Sequence, residues 1–338
     1  MNDQNEKHTK MKVCVVGSYS GKLDEGMANV SYYIHKNLEK KINQVILLNV
    51  NDITKSKFWK ELFSFKPDII HYVPGPTGKG LFLLRILQIL TNCKTVVSAT
   101  KPDLSPSFKL FSLIIKPNIV VTQSENSQEV FNKFSYQTKF VPNGVDIQKF
   151  SPIETNERKM LRASNGFRED DFIVLHIGPI SQGRNQKSLL EIPEAKILLI
   201  ASETTPSDNH LIKELRSERI TIISKFLSNV EKFYGLSDVY IFPLVQPKTS
   251  IDIPLSILEA MACNIPVITT RFGGIEKILN QGEGLFFIDK PEEIKEKILE
   301  IRNNKVKVNT RKKVMEFSWE KIIEQYVQIY LNLLRKSK

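Results

Sequence analysis

The residues best suited by type and spacing to do chemistry lie in Pro254-Leu255-Ser256-Ile257-Leu258-Glu259-Ala260-Met261-Ala262-Cys263, followed by Ile265-Pro266-Val267-Ile268. A helix starting near Leu255, just after a strand and a loop, presents the free N–H groups of Leu255 and Ser256 and the positive end of its dipole, a natural seat for a diphosphate. Glu259 lies one turn in, where a carboxylate accepts hydrogen bonds from ribose hydroxyls. The plainer alternative is a solvated helix glutamate, less ordinary here because Leu258, Ala260 and Met261 flank it. His71, at the end of an apolar run and three residues after Asp68, is either a substrate contact or a packed or capping residue. Lys101, in Ser98-Ala99-Thr100-Lys101-Pro102-Asp103, is placed to meet an anionic acceptor or a leaving phosphate, or is merely solvated. The loop Gly17–Gly26, with Gly21 between, lets the backbone approach a phosphate, so Gly17 and Gly26 are candidates too. No metal-ligand spacing is visible.

Elements must hold these residues in place, and strand-like and helix-like periods alternate along the chain. Strands are expected at Lys12–Val16, Val45–Asn49, Ile69–Val73, Thr95–Ser98, Ile119–Thr122 and Lys139–Val141, with helices at Met27–Lys41, Leu81–Leu90, Phe108–Ile115 and Glu125–Phe134. The pattern breaks at the Pro142-Asn143-Gly144 turn and the polar stretch from Ser151-Pro152. It restarts with strands at Phe172–Ile177, Ile197–Ala201, Thr221–Ile223, Val239–Phe242, Val267–Thr270 and Gly284–Ile288, and helices at Asn209–Arg216, Asn229–Leu236, Leu255–Cys263 and Glu292–Asn303. A last amphipathic helix, Trp319 to Leu334, carries Ile322, Ile323, Tyr326, Ile329, Tyr330 and Leu333 on one face, with Ser318 as its N-cap. The expectation is an α/β protein of two Rossmann-like parallel-sheet domains, residues 1–150 and 151–318, with residues 1–10 flexible and 319–338 a final helix. Two such domains facing across a cleft would bind ligand at the carboxyl ends of their strands.

Composition sets the outer bounds. The chain has 338 residues, 41% hydrophobic and 25% charged, an ordinary globular balance that two domains suit. No apolar run reaches membrane-span length, since Leu81–Leu90 already contains Arg85. Met1–Lys10 is polar, without a signal peptide's apolar core. Cys14, Cys93 and Cys263 lie far apart inside apolar segments and read as buried thiols in a reducing compartment, so a cytoplasmic protein is expected. The net charge of +11 is uneven: residues 1–150 carry 20 Lys+Arg against 12 Asp+Glu, residues 151–338 carry 28 against 25. The excess in the first half points to an anionic partner, or to lysine spread over exposed faces. No zinc spacing, basic heptad helix or aromatic-basic sheet motif supports nucleic acid. Phe108–Lys116 and Leu81–Leu90, apolar and edged by lysine or arginine, are either core helices or a surface that rests on anionic lipid, peripheral at the inner face of the membrane.

Taken together, four stretches resemble family 4 of the retaining glycosyltransferases, which have the GT-B fold. Phe140-Val141-Pro142-Asn143-Gly144-Val145-Asp146 with Phe150-Ser151-Pro152 looks like that family's interdomain turn. Leu255–Cys263 through Val267-Ile268 looks like the second half of its donor-sugar motif, and Gly273-Gly274 fits the turn that follows. Phe317-Ser318-Trp319 looks like its closing segment, whose helix returns to the first domain. The likeness runs from about residue 11 to about residue 335.

The resemblance implies a metal-independent transferase without a cofactor. Its second domain would hold a UDP- or GDP-linked sugar and its first a glycan or lipid-linked acceptor. Gly178, Arg184, Ile253, Leu255, Ser256 and Glu259, with Gly17 and Gly26, would contact the donor; Lys101, His71 and Asp252 would serve the reaction. Departures accompany it. The first of the family's two motif glutamates falls on Ile251, with Asp252 the nearest carboxylate. Pro179 stands where the family has an arginine, so Arg184, at the lysine position, is half of a cationic clamp. Ile192-Pro193 interrupts the helix expected after it. Glu25-Gly26 replaces a Gly-Gly pair, Ala28 a glutamate, and Val73 a second histidine. An alternative of another class follows from Ile251 and Pro179: a catalytically degenerate protein that binds nucleotide sugars or a partner. A nucleotide-sugar epimerase on the same fold is a third.

Overall fold

A computed structural model describes residues 10–335 apart from 20, 102–104, 193, 217–218 and 304. The flexible N-terminus expected for residues 1–10 falls, for residues 1–9, outside the described residues. The described chain divides into two units: the first runs up to Asn143 and adds Ile251–Ile253 and the residues from Trp319, and the second comprises Gly144–Ser250 and Pro254–Ser318. The division falls inside the Pro142-Asn143-Gly144 turn.

In the first unit the strands are β1 (Lys12–Gly17), β2 (Gln44–Asn49), β3 (Ile69–Tyr72), β4 (Lys94–Ala99), β5 (Ile119–Thr122) and β6 (Thr138–Phe140). They form one parallel sheet in the order β2-β1-β3-β4-β5-β6. The helices are α1 (Gly26–Leu38), α2 (Ser56–Phe65), α3 (Gly78–Thr91), α4 (Pro106–Ile114) and α5 (Glu125–Lys133). The near-continuous apolar strands, Val13 to Val16 for instance, suit a sheet covered on both faces.

The second unit opens with α6 (Thr155–Ser164) and β7 (Phe172–Ile177). It continues with two 3-10 turns, Gln182–Arg184 and Gln186–Glu191, then β8 (Ala195–Ile200), α7 (Asn209–Leu215), β9 (Ile220–Ile223), α8 (Glu231–Leu236) and β10 (Val239–Phe242). It ends with α9 (Leu255–Ala262), β11 (Val267–Thr270), α10 (Ile275–Ile278), β12 (Leu285–Ile288), α11 (Glu293–Arg302) and α12 (Thr310–Val314). Its parallel order is β12-β11-β10-β7-β8-β9. The chain leaves β7 first toward β8 and β9 and returns to its other side at β10. The β7–β10 gap is therefore the unit's topological switch point, where open parallel sheets take ligands. The segment after β7, expected as a short α-helix, is 3-10 instead, with Asn185 left-handed between the two turns.

Some buried charged groups are tied down within their unit. Arg162, on α6, donates to Asp238 Oδ2 at 2.7 Å and to the carbonyls of Leu236, Glu169 and Asp171. Asp238 also accepts from Arg158 and from the backbone N–H of Ile173. Cys14, Cys93 and Cys263 are buried free thiols whose pKa values burial pushes up.

The final helix, α13 (Trp319–Arg335), packs in the first unit against α1: Trp319 stacks on Tyr33 at 5.5 Å and Glu324 pairs with Lys41 at 2.9 Å. It also completes the environment of His71, which corrects the substrate-contact expectation for that residue. His71 is fully buried on β3, its Nδ1 2.6 Å from the Tyr330 hydroxyl and its Nε2 2.8 Å from Ser98 Oγ. Fully buried and with both ring nitrogens satisfied, His71 is a core histidine.

Desolvation lowers the His71 pKa from 6.5 to about 3, and burial does the same to His176 of β7. Both are neutral when folded, so the unfolded chain binds protons first. The stability they contribute is whole above about pH 6.5 and is lost as pH falls from there toward 3. In a Glu259→Gln background, which removes the opposing titration of a carboxyl raised to about 7, urea midpoints should decline as pH falls from about 6.5 toward 4; a level profile throughout would contradict the assignment. Tyr330→Phe should cost roughly 1–3 kcal/mol at neutral pH by stranding His71 Nδ1.

Candidate functional site

The second unit gathers several candidate residues at the carboxyl ends of β7 and β10. Gly178 directly follows β7, and its φ of +141° is one that side-chain-bearing residues rarely adopt. Arg184 folds back against it so closely that a Cβ at position 178 would lie 2.4 Å from Arg184 Nη1. The glycine is required by its backbone angle, and its lack of a side chain leaves room for the guanidinium lying on it.

The guanidinium sits over the ring of Phe242, 5.2 Å from its centroid, and Nη2 donates to the Thr249 carbonyl at 3.0 Å. Its Nε is buried without a partner, and no carboxylate of the described residues pairs with it. Burial lowers its pKa, yet an arginine stays charged. This is a desolvated cation with an open donor, the arrangement that favours an incoming anion.

Following β10, α9 begins at Leu255 with Pro254 as its N-cap residue and no side-chain capping bond. The first-turn N–H groups, Ser256's among them, are thus left uncapped by any side chain. The Tyr240 hydroxyl donates to Ser256 Oγ at 2.7 Å and orients it. Glu259 Oε2 accepts from the Tyr234 hydroxyl at 2.7 Å. Burial raises the Glu259 pKa to about 7; the Tyr234 bond and Lys149 oppose that rise, while Glu231 and Asp146 add to it. The rings of Tyr234 and Tyr240 lie 5.7 Å apart, and Tyr240 and Phe242 follow each other along one face of β10. One aromatic row thus links the carboxyl of Glu259, the helix start and the guanidinium. Sequence reasoning passed over Tyr234, Tyr240, Phe242 and Thr249; the alternation Tyr240-x-Phe242 was the available signal, and it reads equally as ordinary core.

The remaining candidates belong to the first unit. At the N-terminus of α1, the Glu25 carboxylate accepts from Ala28 N at 2.9 Å, so a negative charge already stands where a phosphate would need to sit. That corrects the phosphate reading of Gly17 and Gly26. Gly17 has a packing reason to be glycine, since a Cβ there would lie 2.4 Å from Ser31 Cβ.

Ile253, expected at the donor, is fully buried, and its carbonyl accepts from Asn143 Nδ2 at 2.7 Å. It anchors backbone, with no exposed surface to offer a ligand. Asp252 Oδ2 accepts from Ser124 Oγ at 2.6 Å and Ser127 Oγ at 2.5 Å at the start of α5, and its N–H donates to the Thr100 carbonyl. Burial raises its pKa while the two serines pull it down. Its observed work is anchoring, which corrects its assignment as a reacting group. Lys101 is exposed just past β4. Among the described residues no three His, Cys, Asp or Glu side chains converge as a metal site.

Comparison with known proteins places this geometry among relatives. Residues 180–304 match the family model described as "Glycosyl transferases group 1". The chain is 28% identical over 237 residues to the N-acetyl-alpha-D-glucosaminyl L-malate synthase of Bacillus anthracis, covering 67% of this chain and 59% of that protein. The chain spans 39% to 59% of the length of the first curated relatives it matches. Among solved structures, the sucrose-phosphate synthase of Thermosynechococcus elongatus superposes with a TM-score of 0.79 at 16% identity, covering 97% of this chain and all of that one. Anabaena Alr3699/HepE, in complex with UDP and glucose, gives 0.76 at 18% identity, covering 95% of this chain and all of that one. The likeness to these structures establishes the two-domain Rossmann-like GT-B fold.

The Tyr234 bond holds down a carboxyl that burial drives up, so Tyr234→Phe should move the Glu259 titration midpoint above about 7. Carboxyl 13C chemical shifts followed against pH read this directly; an unmoved midpoint would mean that the bond does not act on Glu259.

Proposed function

We propose that the chain is a group 1 glycosyltransferase, the family whose model matches residues 180–304, and that it transfers a sugar from a nucleotide diphosphate sugar to a glycan or lipid-linked acceptor with retention of anomeric configuration. The observation that carries this reading is the Arg184 guanidinium, desolvated, without a carboxylate and with its Nε unpartnered, at the switch point of the second unit. A diphosphate is the ligand that such a cation and an uncapped helix start accept together. As the sugar–phosphate bond breaks, negative charge grows on the leaving phosphate. Arg184 and the first-turn N–H groups of α9 would stabilise it without reorganising. Glu259, in its ionised form, would accept from the ribose hydroxyls. We take a UDP-linked sugar as the first donor to test, because a structural neighbour holds UDP and glucose. The donor is then a substrate, and no resident cofactor is proposed. Lys101 is the candidate for the acceptor side. Three buried, unpaired thiols fit a cytoplasmic setting.

A second reading, a nucleotide-sugar-binding protein without turnover, is favoured by Ile251 in the position of a carboxylate and Pro179 in that of an arginine. Slow hydrolysis of the donor that Glu259→Ala abolishes would exclude the binding reading, which forbids turnover.

Calorimetric titration with UDP, GDP, ADP and dTDP should give micromolar binding for one nucleotide. Arg184→Ala should weaken it roughly tenfold to a hundredfold, as expected for a charged hydrogen bond, and Glu259→Ala should remove most of the remainder. Wild-type affinity should fall as pH drops below about 7 and Glu259 takes up its proton, whereas Glu259→Gln should be insensitive to pH there. No binding of any nucleotide would overturn the reading.

A further inference from the structure

We infer that the outer faces of α3 and α4 form a surface that docks on an anionic membrane. Both helices have a buried side that the core fully uses: Leu81, Leu84 and Leu87 on α3, and Phe108 and Ser112 on α4. Their other sides should then be polar. They are apolar instead. Phe82, Ile89 and Leu90 of α3 and Leu110, Leu113 and Ile114 of α4 are exposed, Leu113 by 68% and Ile114 by 77%. These six make up most of the large apolar side chains exposed among the described residues. The two faces are continuous, because the rings of Phe82 and Phe111 meet at 5.9 Å, and Gly78 allows the helix starts to close on Ser107. A contiguous apolar patch of this kind marks an interaction site.

Charge selects the occupant. Lys79, Arg85 and Lys109 are exposed on the same two helices, and none pairs with a carboxylate among the described residues. Neither helix contains an Asp or Glu. Over residues 69–124 the sequence has six Lys or Arg and one acid, Asp103. A second copy of this chain would bring the same cations against themselves. A bilayer with anionic headgroups takes both features at once: apolar side chains settle at the headgroup–acyl boundary and the cations lie on phosphates. No helix among the described residues is long and apolar enough to cross a membrane, so the contact is peripheral. Both segments thus do core work on one side and leave the other free, where sequence alone left core helix and lipid surface as alternatives. The inference is independent of the donor site.

The test is cosedimentation of the full chain with vesicles of mixed phosphatidylglycerol and phosphatidylcholine, against phosphatidylcholine alone. Binding to the anionic vesicles should be strong at low salt and fall as salt rises. The double substitution Leu113→Ser with Ile114→Ser should lower partitioning by about tenfold or more. Lys79→Gln, Arg85→Gln and Lys109→Gln should each lower it roughly fivefold. All five positions are exposed, so thermal midpoints should stay at the wild-type value, and so should nucleotide titrations, which separates failure here from failure of the donor site. Absence of binding to anionic vesicles at low salt would overturn the inference, as would binding that none of these substitutions reduces. Self-association abolished by the Leu113/Ile114 double substitution, with no vesicle binding, would assign the face to a second copy.

Discussion

A guanidinium removed from water without a carboxylate beside it is the constraint around which the second unit is organised. The unit contains a control for it. Arg162 is more deeply buried than Arg184, yet its donors are met by Asp238 and three carbonyls, and it behaves as a structural bolt. Arg184 has one carbonyl and an aromatic face, and an unmet Nε. Such a group calls for an explanation, and an incoming anion is the one proposed for it. Holding the guanidinium there requires a left-handed glycine at 178, a strand bearing Phe242, and a loop that turns the Thr249 carbonyl inward. All three meet because β7 and β10 are neighbours at the switch point of the sheet.

Helix starts tell the same story by contrast. Both α1 and α9 follow a strand and offer unpaired N–H groups with positive dipole. At α1 the acid Glu25 closes the site from within the chain. At α9 the cap residue is Pro254, which has no side-chain acceptor, and no side chain among the described residues caps it. The nearest acid, Glu259, lies a turn along and is kept by burial at a pKa near neutrality, so its repulsion of an anion is weaker than that of an ordinary glutamate. One helix spends its dipole on stability and the other keeps it for a ligand.

The first unit uses its polar residues differently. His71, Ser98 and Tyr330 join the sheet to the final helix through one buried chain of hydrogen bonds. Asp252 holds the short segment Ile251–Ile253 to the start of α5 through two serines. Residues that looked reactive one at a time are spoken for by packing. What this unit leaves open is its apolar, basic outer face.

The strand and helix series was readable because parallel strands buried on both faces are continuous apolar runs, as in Ile69–Tyr72 and Val239–Phe242, and because helices such as α13 repeat their apolar residues at helical spacing. The helix start at Leu255 and the carboxyl one turn later were legible for the same reason: spacing within one element is fixed by its geometry. Arg184 was found through its motif position. That its Nε is left unpaired depends on Phe242 and Thr249, far along the chain. Likewise the identity of His71 as a core residue depended on Tyr330, whose sequence distance hides it. The apolar segments of α3 and α4 read first as core helices, with a lipid surface as the alternative, because sequence gives hydrophobicity without saying which neighbours consume it. Local spacing belongs to the chain; partnership and solvent exposure arise only when distant segments are brought together, and these decided which candidate groups were free to act.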